Sequence, residues 1–166
     1  FEVSNNEAQI RAMRSGELHI AGFNTGSVPK AVIQAGFHPF AIMARTAEAQ
    51  AKGGFPEWGY EMELLVRAAD ETIRTPLDLK GKRVAFTSPT SNSGYKAPSL
   101  ILQREFGIDV NKDLEAKFSG KHDNSILGLL NGDYDAAAIA NEIFFQMAAR
   151  GDIDRASFRS IYRSET

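Results

Sequence analysis

Ser88-Pro89-Thr90-Ser91-Asn92-Ser93-Gly94-Tyr95 stands between the apolar run Arg83-Val84-Ala85-Phe86-Thr87 and the apolar-periodic run Leu100-Ile101-Leu102. The spacing predicts a strand, a hydroxyl-rich turn and a helix start in direct succession. Free backbone N–H groups and the positive end of the dipole make a helix start a natural anion site. Gly94 lets main chain come close to a bound group, because no Cβ intervenes. A plain helix cap accounts for the same residues, since Ser and Asn are also common caps.

The same alternation extends outward in both directions. Ser4 to Ser15 reads as a helix closed by Gly16, and Leu18 to Phe23 as a short strand. Asn24-Thr25-Gly26-Ser27 turns into a helix with Pro29 in its first turn and Gly36 as its stop. Pro39 to Ala44 reads as the next strand, Thr46 to Gly59 as a loop, and Tyr60 to Ala68 as a longer extended segment. Thr75 to Lys82 is a capped turn before the strand at 83–87. On the other side, a helix ends at Gly107, a strand covers Ala116 to Ser119, and a helix opens at Lys121-His122-Asp123-Asn124-Ser125. Tyr134 to Ala140 reads as a buried strand, Asn141 to Arg150 as a helix and Phe158 to Tyr162 as a last strand. Alternating strands and helices imply βαβ units, mostly parallel sheets and an α/β class.

Two segments share one layout. Ile10…Gly16-Glu17-Leu18-His19-Ile20-Ala21 and Ile126…Gly132-Asp133-Tyr134-Asp135-Ala136-Ala137 both run from an apolar helix face through glycine to a buried strand. Any two βαβ units share that much. The further reading is two similar lobes that aim helix starts at a common cleft, beyond the carboxyl ends of the strands.

Charge and composition narrow the function. The net charge of −2 argues against nucleic-acid binding through a broad basic surface, so any anion recognition is local. With no cysteine, a thiolate metal site, a cysteine nucleophile and disulfides are excluded. His19, His38 and His122 lack metal-ligand spacing, so no metal is expected. No Walker A, Gly-x-Gly-x-x-Gly, Gly-x-Ser-x-Gly or His-Glu-x-x-His motif occurs. The reading is therefore a non-enzyme that needs no cofactor. No apolar run reaches bilayer length. The start at Phe1-Glu2-Val3, without a basic or apolar leader pattern, reads as processed or cut.

Three polar clusters follow strand ends: Asn24 to Ser27, Thr90 to Ser93, and Lys121 to Ser125. Converging, they would hold a small tetrahedral oxyanion with hydroxyl, amide and N–H donors. His122 could donate to the anion or serve as a surface cap. Glu142 could complement its helix dipole, meet a ligand ammonium or share a proton with a protonated oxyanion. Tyr60 could line a cleft or pack at a joint.

Three stretches carry a resemblance to a known family. They are Asp78 to Phe86 with Ser88 to Tyr95, Phe118-Ser119-Gly120-Lys121-His122-Asp123, and Ser125 to Ala136. Together they resemble the phosphonate and phosphite substrate-binding proteins of ABC transporters, and Gly59-Tyr60 before Leu64-Leu65-Val66 looks like that family's crossover strand. The resemblance implies a two-lobed, type II periplasmic-binding-protein fold that closes on its ligand. It groups residues 1–70, with the crossover strand, as part of lobe one and 71–166 as lobe two. The family is longer, so lobe one is expected to be incomplete and the chain truncated at both ends. It further implies that Ser91, Asn92, Ser93 and His122 hold P–O oxygens, that Tyr60 and Thr25 contribute from the other lobe, and that Glu142 matches the amino-group position of aminoalkylphosphonate binders. The family's Ser-Thr-Ser is Ser91-Asn92-Ser93 here, which leaves phosphite, hypophosphite and alkylphosphonate open as ligands. The expected partner is an ABC membrane permease, and the expected location is periplasmic or lipid-anchored outside the cytoplasmic membrane. A ligand-sensing domain of a regulator or receptor, built on the same fold, is the alternative.

Overall fold

The computed structural model describes residues 5–42 and 59–165. Contacts divide the chain into two compact units, one of residues up to Ile42 with Thr90–Asn92, the other of the remainder.

In the first unit, Asn5 caps helix α1 (Asn6–Arg14) by accepting the Ala8 N–H at 3.0 Å. Helix α2 (Val28–Ala35) has Pro29 in its first turn and ends at Gly36. The two helices bury Ile10, Ala12 and Ala31, and Lys30 pairs with Glu7. Phe23 and Phe37 meet edge to face at 5.1 Å. The strands expected at Leu18 to Phe23 and Pro39 to Ala44 do not form over residues 18–23 and 39–42; residues 43 and 44 lie outside the described set, as do 46–58 of the expected loop. A strand exists only through its ladder, and no segment pairs with either stretch among the described residues. Ile20, Phe40 and Ile42 are accordingly exposed.

The second unit holds a five-stranded sheet in the order β3-β2-β4-β1-β5. Its strands are β1 (Met62–Arg67), β2 (Arg83–Phe86), β3 (Glu115–Phe118), β4 (Ala136–Ala140) and β5 (Phe158–Arg163). The expected parallel pairing holds for β3-β2-β4, whereas β1 runs antiparallel to both β4 and β5, so the sheet is mixed. The sequence reading groups the segment 60–68 with the first lobe. In the structure β1 pairs on both sides within the second sheet, so contacts place it in the second unit.

Helices cover both faces of this sheet, which is why β4 reads Ala-Ala-Ala-Ile-Ala with no polar alternation. Leu64, Val66, Val84 and Phe86 point to the face packed by Leu102 of helix α3 (Ala97–Phe106). Leu65, Ala85, Ala137 and Ile139 point to the other face. There they meet Ile126 and Leu129 of α4 (His122–Asn131) and Phe144 and Met147 of α5 (Asn141–Arg150). Each fully buried Leu, Ile or Phe stabilises by about 1.5–3 kcal/mol. At the entry to β2, the expected capped turn forms, and Thr75 and Asp78 make it a capping box around a short 3-10 turn, Pro76–Leu79. The Asp135 carboxylate then grips Arg83 through its backbone N–H at 2.9 Å and its guanidinium at 2.7 Å. That bond holds the carboxyl below its ordinary pKa.

Candidate functional site: an oxyanion cradle

Because β3, β2 and β4 are parallel neighbours, their carboxyl ends share one edge of the second sheet. From each end the chain runs into a helix. Strand β2 leads through the Ser/Asn-rich loop into α3, β3 through Ser119-Gly120-Lys121 into α4, and β4 directly into α5. Those three openings carry Ser93, His122 and Glu142, which is the arrangement by which open α/β sheets present ligand groups.

Main-chain bonds tie the ends of β2 and β3 together. Ser119 N–H donates to Phe86 O at 2.8 Å, Gly120 N–H to Thr87 O at 2.8 Å, and Thr87 N–H to Gly94 O at 3.0 Å. Ser119 and Ser125 share a hydroxyl bond of 2.6 Å, and the Asn124 amide donates to Ser119 O at 2.9 Å. The loop bearing His122 is therefore fixed against the end of β2. Its ring is fixed against β4 as well, because the Ala140 N–H donates to His122 Nδ1 at 3.1 Å. A nitrogen that accepts is unprotonated, so the ring proton resides on Nε2. Burial pushes the His122 pKa down to about 4, against the smaller opposing pull of Asp123.

Ser93 is 2% exposed. It belongs to a π-helical turn, Asn92–Lys96, that precedes α3. Such widened turns re-aim side chains and backbone at helix starts. Glu142 is half-buried in the first turn of α5, where a carboxylate complements the helix dipole. Tyr60, also half-buried, precedes Glu61. Glu61 is pinned to the start of α5: its N–H donates to Asn141 Oδ1 at 3.1 Å and its carboxylate accepts from Asn141 Nδ2 at 2.8 Å.

Within the first unit, the structure brings the Thr25 turn beside Ser91 and Asn92. Asn24 Oδ1 accepts the Ser27 N–H at 3.1 Å. The Ser27 hydroxyl donates to Thr90 O at 3.3 Å and accepts from the Asn6 amide at 2.9 Å. A Cβ on Gly26 would stand 3.1 Å from Asn92 Cβ, so glycine there permits the close approach. Thr25 itself is exposed.

Two residues escape the sequence reading. Ser27 reads as a helix start, yet its hydroxyl ties residues 63 positions apart, for which no local signal exists. Thr87 reads as the last strand residue, but its buried hydroxyl lacks a partner among the described residues. Among those residues no group of three or more His, Cys, Asp or Glu could hold a metal ion. No described helix is long and apolar enough to cross a membrane. The helix openings of the second unit thus carry hydroxyl, imidazole N–H and helix-start N–H groups, donor chemistry of the kind that suits an oxyanion.

The profile of a family described as "ABC transporter, phosphonate, periplasmic substrate-binding protein" matches residues 1–166. The chain is similar to the phosphate-import protein PhnD of Mycolicibacterium smegmatis, 28% identical over 171 residues, covering 99% of this chain and 51% of that one. Among solved structures it resembles a binding-protein component of an ABC phosphonate transporter from Pseudomonas aeruginosa, with a TM-score of 0.79 at 20% identity over 99% of this chain and 53% of that chain. PhnD1 of Prochlorococcus marinus, solved with methylphosphonate, gives 0.72 at 22% identity, with coverages of 96% and 57%. The chain spans about half the length of the relatives it matches. Its fold is that of the type II periplasmic binding proteins.

Proposed function

The chain belongs to the phosphonate periplasmic substrate-binding proteins of ABC transporters, and from that premise we propose that it serves in capturing a small phosphorus oxyanion for delivery to a membrane permease. The observation that supports this reading is the pair of parallel-strand ends that open into helices at Ser93, an almost fully buried serine, and at His122, whose Nδ1 accepts the Ala140 N–H so that Nε2 is the donor. Ser91, Asn92 and Ser93 would bond the P–O oxygens with His122, and Thr25 and Tyr60 would complete the set. Charge-assisted bonds are worth about 1.5–3 kcal/mol each. About four suffice for micromolar affinity, near −8 kcal/mol, after ordering costs.

The ligand class we favour is an alkylphosphonate, phosphite or hypophosphite. The methylphosphonate held by the Prochlorococcus protein supports the first of these. A second reading, phosphate, has the printed function of the Mycolicibacterium relative behind it. The two differ at one ligand position. Hydrogen phosphate carries a protonated oxygen that needs an acceptor, whereas a P–C or P–H group needs none. Glu142 is the acceptor we assign to that position, or to the amino group of an aminoalkylphosphonate. Capture without turnover is consistent with His122, whose one lone pair is occupied and unavailable as a general base. The location that follows is outside the cytoplasmic membrane.

Titration calorimetry of the full-length mature protein tests this, with phosphite, hypophosphite, methylphosphonate, 2-aminoethylphosphonate, phosphate and sulfate. Tight binding of a reduced-phosphorus ligand, lost by about tenfold or more in Ser93→Ala, is the expected result. Preference for phosphate would establish the second reading. A folded protein silent across the panel would overturn both.

A further inference from the structure

We propose that the main-chain N–H of Ala140 locks His122 as its neutral Nε2–H tautomer, so that the oxyanion site proposed above recognises its ligand through an uncharged imidazole donor. The identity of the ligand rests on the preceding reading; the lock does not.

The geometry admits one protonation state. An N–H 3.1 Å from Nδ1 requires a lone pair there. A proton on Nδ1 would turn the contact into two opposed donors and leave a strand-end amide without a partner. Ala140 closes β4, whose other residues are buried and apolar, so that strand supplies no carboxylate to favour an imidazolium. Of the charged groups on the packed elements, Lys121 and Asp123 flank the ring on its own helix start. Asp123 also faces Arg150, from the last turn of α5, at 3.5 Å. Glu142, two residues beyond the donor, opens the same helix. Asp123 alone pulls appreciably toward the charged form, and burial outweighs it.

A cationic histidine would tighten anion binding as pH falls through about 6.5, the ordinary imidazole value. A locked neutral ring adds no such dependence. Affinity for methylphosphonate or inorganic phosphate should then follow the second ionisation of the ligand, and affinity for a ligand of fixed charge should stay level between about pH 5.5 and 8.

Long-range proton–nitrogen NMR of the full-length, ligand-free protein reads the tautomer directly. Nδ1 unprotonated and Nε2 protonated at pH 7, unchanged at pH 5.5, is the expected result. A proton on Nδ1, or a doubly protonated ring at pH 6, overturns the lock. Methylphosphonate titration then separates the donor from the ring. His122→Gln, which keeps an amide N–H at similar reach, should stay within about fivefold of the parent, while His122→Ala should lose about tenfold or more. Equal losses in the two variants, with both folded, overturn the donor role. The expected tautomer in a protein that binds no oxyanion of the panel would support the lock and defeat the oxyanion reading.

Discussion

Residues 10–21 and 126–137 carry nearly the same pattern, and the protein makes different structures of them. In both, an amphipathic helix ends at a glycine in the left-handed region, Gly16 at φ 79° and Gly132 at φ 86°. After Gly132 the chain enters β4, pairs on both sides and buries Ala137 completely. After Gly16 it stays unpaired, and Ile20 is 73% exposed. Local pattern therefore fixes where a helix stops, whereas a strand is made by neighbours that the local pattern does not contain.

The strongest way to break this contrast is to compare core and exposed apolar positions. Leu64→Ala, at a fully buried site of β1, should cost about 2–5 kcal/mol in denaturant unfolding. Ile20→Ser should change stability by about 0.5 kcal/mol or less. A loss above about 2 kcal/mol for Ile20→Ser in the full-length protein would mean that the 18–23 segment is buried there and that the two patterns behave alike.

A second test uses pH. His122 sits well below its unfolded value, so the unfolded chain binds a proton that the folded second unit refuses. The stability tied to this group is fully present above about pH 6.5 and is lost as pH falls to about 4, with a total on the order of 3 kcal/mol. His122→Gln should flatten that part of the profile. An unchanged acid limb in the variant would assign the acid sensitivity to carboxylates instead.

Close glycine contacts sharpen the comparison at smaller scale. A Cβ at Gly128 would meet the Tyr134 ring at 2.5 Å, whereas one at Gly26 would meet Asn92 Cβ at 3.1 Å. Gly128→Ala should destabilise by about 1–3 kcal/mol despite the better helix propensity of alanine. Gly26→Ala should cost less stability yet weaken oxyanion binding severalfold, because it displaces Asn92. Equal thermal shifts with unchanged affinity would remove Asn92 from the site.

A last variant, Ser27→Ala, deletes the link to Thr90 and the bond from Asn6. About 1–2 kcal/mol of stability should go. Ligand affinity should fall with it if the 90–92 segment is held in place by that hydroxyl, and calorimetry of the single variant decides this.

Legibility in the sequence followed the same division. Glycine stops, the capped turn at Thr75 and the strand-loop-helix around Ser88 to Tyr95 are short-range devices, and each was readable from a few adjacent residues. The openings at Ser93, His122 and Glu142 were readable too, since strand-to-helix turns announce themselves in composition. The insertion of β1 between β4 and β5 was not, because antiparallel pairing of residues about 70 to 100 positions apart leaves no periodicity to find. Nor was the partner of His122, since a backbone N–H has no residue type by which to recognise it. The hydroxyl of Ser27 escaped for a related reason: its local environment is a cap, and its second bond is long-range.

The position of β1 has a consequence in time. Residues 62–67 are made before both of their sheet partners, which begin at Ala136 and at Phe158. At about 5–20 residues per second of synthesis, β1 waits about 4–14 s for its first neighbour and longer for its second. During that interval its Met-Glu-Leu-Leu-Val run is an unpaired, adhesive strand. The central strand of this sheet half is therefore the first to be made and the last to find its place, and until both partners arrive its edges are open to wrong pairing.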